Sequence, residues 1–266
     1  MAKLVGTAGN VLVASQLVED CEDAWDEQAG TGVTATADTT DYKVGAASAK
    51  FVLTTAAIVE ITASEVVASM NLSTYTQLMF WVKSSITLSA ADFQLLLDDS
   101  ALCATPIVTL NIPALVANTW TYCKVAADLS GCTAIISVGL KQAVDKGAMS
   151  IWLDDIRAAK AIVGIRSWSL DYIYEVLETT DFSVAGVASY IPGATRWSGR
   201  FEGFKDALPL GIGTIIGLEL QESATATQQW RGNAIITAAH PVTEHNALVA
   251  YAYDYQGSGA LVVATA

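Results

Sequence analysis

The chain has 266 residues, of which 52% are hydrophobic and 15% are charged, and it carries a formal net charge of −13. An acidic surface repels nucleic-acid phosphates and anionic lipids, and no apolar run reaches the roughly 18 residues of a membrane helix, so neither sequence-specific nucleic-acid binding nor membrane association is expected. The mean hydropathy of +0.40 predicts that other subunits cover apolar surface.

The elements predicted along the chain are almost all β-strands. Segments rich in Val, Ile, Thr and aromatic residues alternate with turn residues, as in SAKFVL at 48–53, LMFWVKSS at 78–85 and MSIWLDDI at 149–156. Short strands at this spacing, without helical crossovers, are typical of antiparallel sandwiches and barrels. We therefore expect an all-β fold.

Residues 17–158 form a distinctly acidic segment. They carry 17 Asp and Glu against 7 Lys and Arg, a net charge of −10. All four cysteines lie in this segment, at 21, 103, 123 and 132, and their spacing matches no zinc motif. They are interpreted as small buried hydrophobic residues, and a disulfide stays open as the alternative.

The same segment resembles the jelly rolls of carbohydrate-binding modules. The resemblance is carried by the order of its motifs: LVEDCEDAW, YKVGAASAKFVL, TQLMFWVKSS, FQLLLDDS, NTWTYCKVAADLSG and AMSIWLDDIRA. Such modules open with an acidic strand and close on an Asp-Asp-Ile strand. The resemblance implies a β-sandwich that covers the whole segment.

Jelly rolls of this kind often hold a structural calcium ion where the first and last strands meet. By resemblance, Glu22 and Asp23 would approach Asp154 and Asp155, with a backbone carbonyl near residues 43–45. Calcium takes six to eight oxygen ligands, and clustered carboxylates would repel one another without it. The alternative is that these carboxylates are the solvated ends of edge strands and discourage aggregation.

A host-surface glycan is a further candidate ligand of the jelly roll. Exposed tryptophans could stack on sugar rings, and Trp25 and Trp152 are the candidates. Trp81 and Trp120 are interpreted as core residues, because a tryptophan within an alternating strand usually faces the interior.

The second half of the chain resembles the tail tube proteins of tailed phages. The shared motifs are Ser-Trp-Ser at 167–169, Thr-Thr-Asp-Phe at 179–182, Ile-Pro-Gly at 191–193, WSGRFEG at 197–203 and the closing ALVAYAYDYQGSGAL at 247–261. The resemblance implies a tail-tube-type β-sandwich or barrel. It also implies subunits that form stacked, hexameric rings.

The position of the first strand suggests an insertion. In tail tube proteins a glycine-rich start and one short strand closely precede the Ser-Trp-Ser strand, whereas here the matching VGTAGNVLVAS lies at 5–15. We therefore expect a jelly roll at 17–159, inserted in the first hairpin of a domain formed by 1–16 and 160–266. The alternating strand at 161–172 should then pair with NVLVAS at 10–15.

Glycines alternate with aromatic residues in the motif at 197–203. Glycine within a strand often marks the close approach of another backbone, which could belong to a neighbouring subunit or to the same one. Trp197, Phe201 and Gly203 are the candidate assembly interface. No catalytic motif stands out, and the only two histidines, His240 and His245, have no third metal ligand at a suitable spacing, so no enzymatic activity is expected.

The sequence thus predicts a virion structural protein, made in the host cytoplasm. The favoured role is the major tail tube subunit, with rings around a DNA channel, the jelly roll displayed outside, and tape-measure or capsid proteins as further partners. The alternatives are a capsid decoration protein, which would cement capsid subunits, and a free carbohydrate-binding adhesin. No cofactor is expected beyond the candidate calcium ion.

Overall fold

The computed structural model describes residues 9–27, 32–57, 60–180, 187–205, 210–222 and 228–265. In these ranges the secondary structure consists of β-strands and one 3₁₀ turn at Ala101–Cys103, without an α-helix. The predicted all-β fold class is confirmed. The strands are β1 Asn10–Glu19, β2 Asp26–Glu27, β3 Val33–Asp38, β4 Ser48–Leu53, β5 Ile61–Met70, β6 Gln77–Ser84, β7 Phe93–Asp98, β8 Val108–Asn111, β9 Thr121–Ala126, β10 Ile135–Gln142, β11 Met149–Ala161, β12 Ile165–Glu178, β13 Tyr190–Phe204, β14 Ile215–Gln221, β15 Gln228–Val242 and β16 Ala250–Thr265.

The chain divides into two compact units. The split unit comprises Met1–Leu12 and Ala161–Ala266, and the continuous unit comprises Val13–Lys160. The predicted boundaries, after residues 16 and 159, differ from these by four residues and one residue. Residues 1–8 of the first predicted segment lie outside the described residues.

The continuous unit is a sandwich of antiparallel sheets. One sheet has the strand order β2-β5-β10-β7-β8, and in the other β11 lies between β4 and β6, with β3 beyond β4 and β9 beyond β6. Alternate residues of each strand point between the sheets, which follows from the period of two in an extended chain. Phe51, Phe80, Leu95 and Ile151 are among the residues of this core. All four cysteines are buried and none of them is in a disulfide, as the sequence favoured.

The split unit contains a sheet with the order β12-β13-β16-β15-β14-β1. Phe201 of β13 packs against Tyr253 and Tyr255 of β16, at ring-centroid distances of 5.3 and 6.1 Å. Trp197 lies 5.9 Å from the ring of Tyr255 on the same face. These four aromatic side chains are buried and belong to the core of this unit.

The predicted pairing of the alternating strand with NVLVAS is wrong. Strand β12 pairs with β13, from Ile165 opposite Gly203 to Glu178 opposite Tyr190. Strand β1 instead lies between β14 and β11. Only the start of the segment approaches β1, where the N–H of Ile162 donates to the carbonyl of Val11 at 2.9 Å. Strands adjacent in sequence tend to pair locally, and that tendency prevailed here over a pairing across some 150 residues.

Candidate functional site

An apolar hairpin extends from the sheet of the split unit. We call residues 172–178 of β12 and 190–195 of β13 the arm. Its large apolar side chains are between 43% and 63% exposed, on both faces of the ribbon. They are Tyr172, Ile173, Tyr174, Val176, Leu177, Tyr190 and Ile191.

Both edges of the arm lack a described neighbouring strand. Among the described strands, β12 ends the sheet and has β13 as its one partner. Strand β13 pairs with β16 from Ser198 to Phe204, so its earlier residues have β12 on one side and no described strand on the other. Pro192, which has no N–H to donate, is compatible with such an edge position. Because an isolated two-stranded hairpin is only marginally stable in water, this arm is a segment that a partner would stabilise.

The arm is anchored at its base and crossed by one ion pair. The ring of Tyr172 meets that of Trp230 edge to face at 6.4 Å, which joins the arm to β15. Glu175 and Arg196 approach to 3.9 Å across the two strands, and both side chains are at least half exposed. A pair this exposed contributes little to stability, so among the described contacts the arm depends on its backbone pairing and on the packing of Tyr172 against Trp230.

The predicted assembly residues do not belong to this surface. Trp197 and Phe201 are buried within the split unit, and the indole N–H of Trp197 donates to the carbonyl of Gly259 at 3.0 Å. A Cβ atom on Gly203 would lie 2.4 Å from the carbonyl oxygen of Gly164. The close approach at Gly203 is therefore internal, and the prediction of an assembly interface at these three residues is corrected to a core role.

The predicted calcium residues are arranged differently from a metal site. One carboxylate oxygen of Asp154 accepts the N–H groups of Lys43 and Val44, at 2.6 and 3.0 Å. Glu22 accepts the N–H of Ala46, and Asp155 forms an ion pair with Arg157 at 2.7 Å. The loop at 43–46, where a carbonyl ligand for calcium was expected, thus donates N–H groups to Asp154 and Glu22.

These four carboxylates do not fit a calcium ion as they are folded. Among the described residues, no group of three or more His, Cys, Asp or Glu side chains could hold a metal. Asp23 is exposed, whereas Asp154 and Asp155 are buried on β11, so the alternative of solvated strand ends is also wrong for that pair. Asp154 and Glu22 act as hydrogen-bond acceptors that hold the 43–46 loop.

The burial of Asp154 has an electrostatic cost. Burial raises the pKa of its carboxyl to about 7, although the two backbone N–H donors oppose the shift. Its second oxygen, Oδ1, is buried without a hydrogen-bond partner among the described residues. Glu19, also mainly through burial, has its pKa raised to about 7.

The two candidate glycan tryptophans are not open platforms. Trp25 is buried and packs edge-on against Phe51 at 5.3 Å. Trp152 is 8% exposed, and the ammonium groups of Lys50 and Lys83 lie 5.1 and 5.0 Å from its ring centroid. Sugar stacking on Trp152 would require these lysines to move away. Of the two tryptophans predicted to be core residues, Trp81 is buried and Trp120 is half-buried.

The arm was not predicted from the sequence, although the sequence contains a signal for it. Alternation of apolar and polar residues in β12 ends at Tyr172, and the following Ile173 and Tyr174 place apolar groups on both faces. A strand that is apolar on both faces is normally buried on both. Here the large apolar side chains of the arm are 43–63% exposed, and an exposed apolar surface of this kind is a candidate for contact with another molecule.

The likeness to known proteins is confined to structure. No family model and no curated protein matches the sequence. Solved structures similar to the chain include the tail of an empty gene transfer agent particle with C6 symmetry, at 19% identity and a TM-score of 0.34, covering 41% of this chain and 87% of that one. A chain of the native gene transfer agent virion matches at 20% identity and a TM-score of 0.33, covering 40% and 89%.

A second kind of neighbour is a carbohydrate-binding module. The family 30 module of a cellulosomal cellulase of Clostridium thermocellum matches at 14% identity and a TM-score of 0.35, covering 55% of this chain and 96% of that one. Likeness at these scores carries no argument about function. No described helix has the length and apolar character needed to cross a membrane.

Proposed function

We propose that this chain is a non-enzymatic structural subunit of a virion and that it assembles with other copies of itself through the arm. The observation that carries the proposal is the exposure of seven large apolar side chains on a two-stranded ribbon with two open edges. Full burial of a large apolar side chain contributes about 1.5–3 kcal/mol, and about half of that remains available at each of these half-exposed positions, so an interface over several of them favours association.

The two edges of the arm also supply a geometry for closed assembly. The free edge of β12 in one copy can pair with the free edge of β13 in the next, because the two edges lie on opposite sides of the same ribbon. Such a contact is heterologous, and each added copy leaves one edge of each kind available. Repetition of this contact closes into a ring if the rotation permits.

The specific role that we propose is the major tail tube subunit. Rings built from the arms would stack around a DNA channel, with hexameric symmetry as the sequence resemblance implies, and would contact tape-measure and capsid proteins. The low content of Lys and Arg, 14 in 266 residues, suits a channel that does not grip DNA. A capsid decoration protein is the second candidate, because the same arm could insert between capsid subunits.

A charge placed on the arm tests the proposal. Val176→Lys puts a cation on an open apolar edge, where it opposes strand pairing between copies. Val116→Lys is the matched control, since Val116 is 67% exposed and Val176 is 63% exposed, and Val116 lies in the continuous unit. Sedimentation should show that Val176→Lys weakens self-association by about tenfold or more, while Val116→Lys assembles like the wild type.

Microscopy of the wild-type protein separates the two candidate roles. Rings or tubes support the tail tube, whereas trimers or monomers that bind capsids support decoration. Circular dichroism of both variants should remain that of the wild type, because both substitutions lie on exposed surface. Equal assembly of the two variants, or a wild type that stays monomeric at high concentration, would contradict assembly through the arm.

A further inference from the structure

The sheet of the split unit contains a cavity of about 150 Å³ on the face opposite Phe201. Strands β12, β13, β15 and β16 all line it. Its charged side chains are Arg166, Arg200 and Glu202, which lie beside the imidazole of His240, and the small residues among the others keep it open. A cavity of this size holds a few water molecules or a single oxyanion.

Arg166 is directed into this cavity by an irregularity of the strand. The register of β12 against β13 shifts between Ile165 and Ser167, which makes Arg166 the extra residue of a bulge. Bulges re-aim a side chain and are frequent beside functional sites. The guanidinium carbon of Arg166 lies 5.3 Å from the ring centroid of Phe204. Stacking of this kind leaves the N–H groups at the guanidinium edge available to a ligand.

Arg166 has no ion-pair partner within the part of the chain that the structure describes, whereas Arg200 and His240 share one. Nη1 of Arg200 lies 3.4 Å from Oδ1 of Asp254, and Nε2 of His240 lies 2.8 Å from Oδ2 of the same carboxylate. The arginine contact is long, and a guanidinium has five N–H donors, so Arg200 retains donors for a ligand.

The charged groups around the cavity are evenly matched. The guanidinium groups of Arg166 and Arg200 are balanced by the carboxylates of Glu202 and Asp254, and the imidazole of His240 lies beside them.

We propose that this cavity is an oxyanion site, formed by the guanidinium groups of Arg166 and Arg200 and the imidazole of His240. Its ligand is a small group of the sulfate or carboxylate type, held by charge-assisted hydrogen bonds. The carboxylate could be a free ion or a side chain of another molecule. The site is separate from the arm, so it does not depend on the proposed assembly.

Titration with inorganic sulfate, followed through the imidazole resonances of the full chain, tests this site. The chain has two histidines, and His245 does not line the cavity, so it serves as an internal control. Sulfate binding should move the His240 resonances in a saturable way and leave those of His245 in place. A parallel titration with acetate distinguishes the ligand types, since tighter acetate binding indicates a carboxylate and tighter sulfate binding a tetrahedral anion.

Variants of two arginines show whether the cavity itself binds the anion. Arg166→Gln should weaken sulfate binding by about tenfold or more, because it removes charge-assisted hydrogen bonds. Arg196→Gln is the matched control on β13, outside the cavity, and should bind like the wild type. Arg200→Gln replaces Arg166→Gln if the latter does not fold. An unmoved His240 resonance, or equal binding by the Arg166 and Arg196 variants, would overturn the proposal.

Discussion

Asp154 accepts two backbone N–H groups with one oxygen, while its other oxygen is buried without a partner among the described residues. Such a carboxylate organises a loop at an electrostatic cost, because burial disfavours its charged form. The sequence motif Asp-Asp-Ile identified a special position on β11 but not its chemistry. A carboxylate that binds a cation and a carboxylate that accepts backbone N–H groups can occupy the same sequence motif. Only the position of the loop at 43–46 shows that Asp154 is of the second kind.

The cost at Asp154 predicts an unusual dependence of stability on pH. The folded-state pKa of about 7 lies above the ordinary value of 3.8, so the folded state retains a proton that the unfolded state releases. The free energy of unfolding should therefore fall as the pH rises from about 4 to about 7. Asp154→Asn keeps an acceptor for the loop and should be more stable than the wild type at pH 8, by about 1–3 kcal/mol.

Urea unfolding at about pH 5 and about pH 8 measures this effect, and Glu19 should leave part of the slope in the variant. Asp128→Asn is the control, because the pKa of Asp128 is shifted in the opposite direction: its hydrogen bonds with Ser130 lower it. A variant less stable than the wild type at the higher pH would contradict the assignment. A calcium chelator should leave the wild-type melting temperature unchanged, and a marked fall would restore the ion to this site.

The pairing of β12 with β13 depends on glycines that face the core. A Cβ atom on Gly199 would lie 2.1 Å from the carbonyl oxygen of Ser169. That oxygen accepts the hydroxyl of Tyr255 at 2.7 Å, so the absent side chain at Gly199 lets a residue of β16 reach across β13 to β12. Glycine and aromatic residues therefore alternate on β13 for a reason internal to the sheet.

A substitution at Gly203 tests the close pairing of β12 with β13. Gly203→Ala would force a methyl group against the backbone of Gly164 and Ile165 and should lower the free energy of unfolding by about 1–3 kcal/mol. Gly211→Ala is the control within the same unit, because its nearest contact would be an ordinary 3.4 Å to Thr214. Chemical denaturation compares the two. Equal stabilities would show that β12 moves aside easily and that the close approach is not restrictive.

At the scale of the whole molecule, the chain enters the continuous unit after Leu12 and leaves it before Ala161. The hydrogen bond from the N–H of Ile162 to the carbonyl of Val11 holds these two points close together. Neighbouring ends are the condition under which one domain can be replaced by a short turn. The division of the chain therefore leads to a direct experiment.

Replacement of residues 13–160 by a short glycine-containing turn should leave a folded β protein. The expectation rests on β12 to β16, which pair with one another outside the deleted segment. Circular dichroism should report β-structure, and sedimentation should report self-association, because the arm is retained. A product without folded signal would show that the split unit requires residues 13–160 to fold.

The sequence by itself determined the properties that depend on local pattern and composition. The period of two, the turn residues and the absence of helical repeats predicted an all-β chain, because a strand's alternation is written in consecutive residues. Burial of the cysteines followed in the same way from their chemistry. The loss of alternation after Tyr172 also marked the arm, although its meaning was not evident without the sheet.

Only the tertiary structure decided which strands pair and which side chains meet. The sequence of β12 is compatible with pairing to β1 or to β13, and in the structure it pairs with β13. Trp25, Trp152 and Trp197 each have a suitable residue type for a binding surface, yet burial or covering lysines assign them elsewhere. Strand pairing and side-chain burial result from competition among segments that are distant in sequence. The outcome depends on the free energies of long-range contacts, and a short stretch of sequence does not contain those contacts.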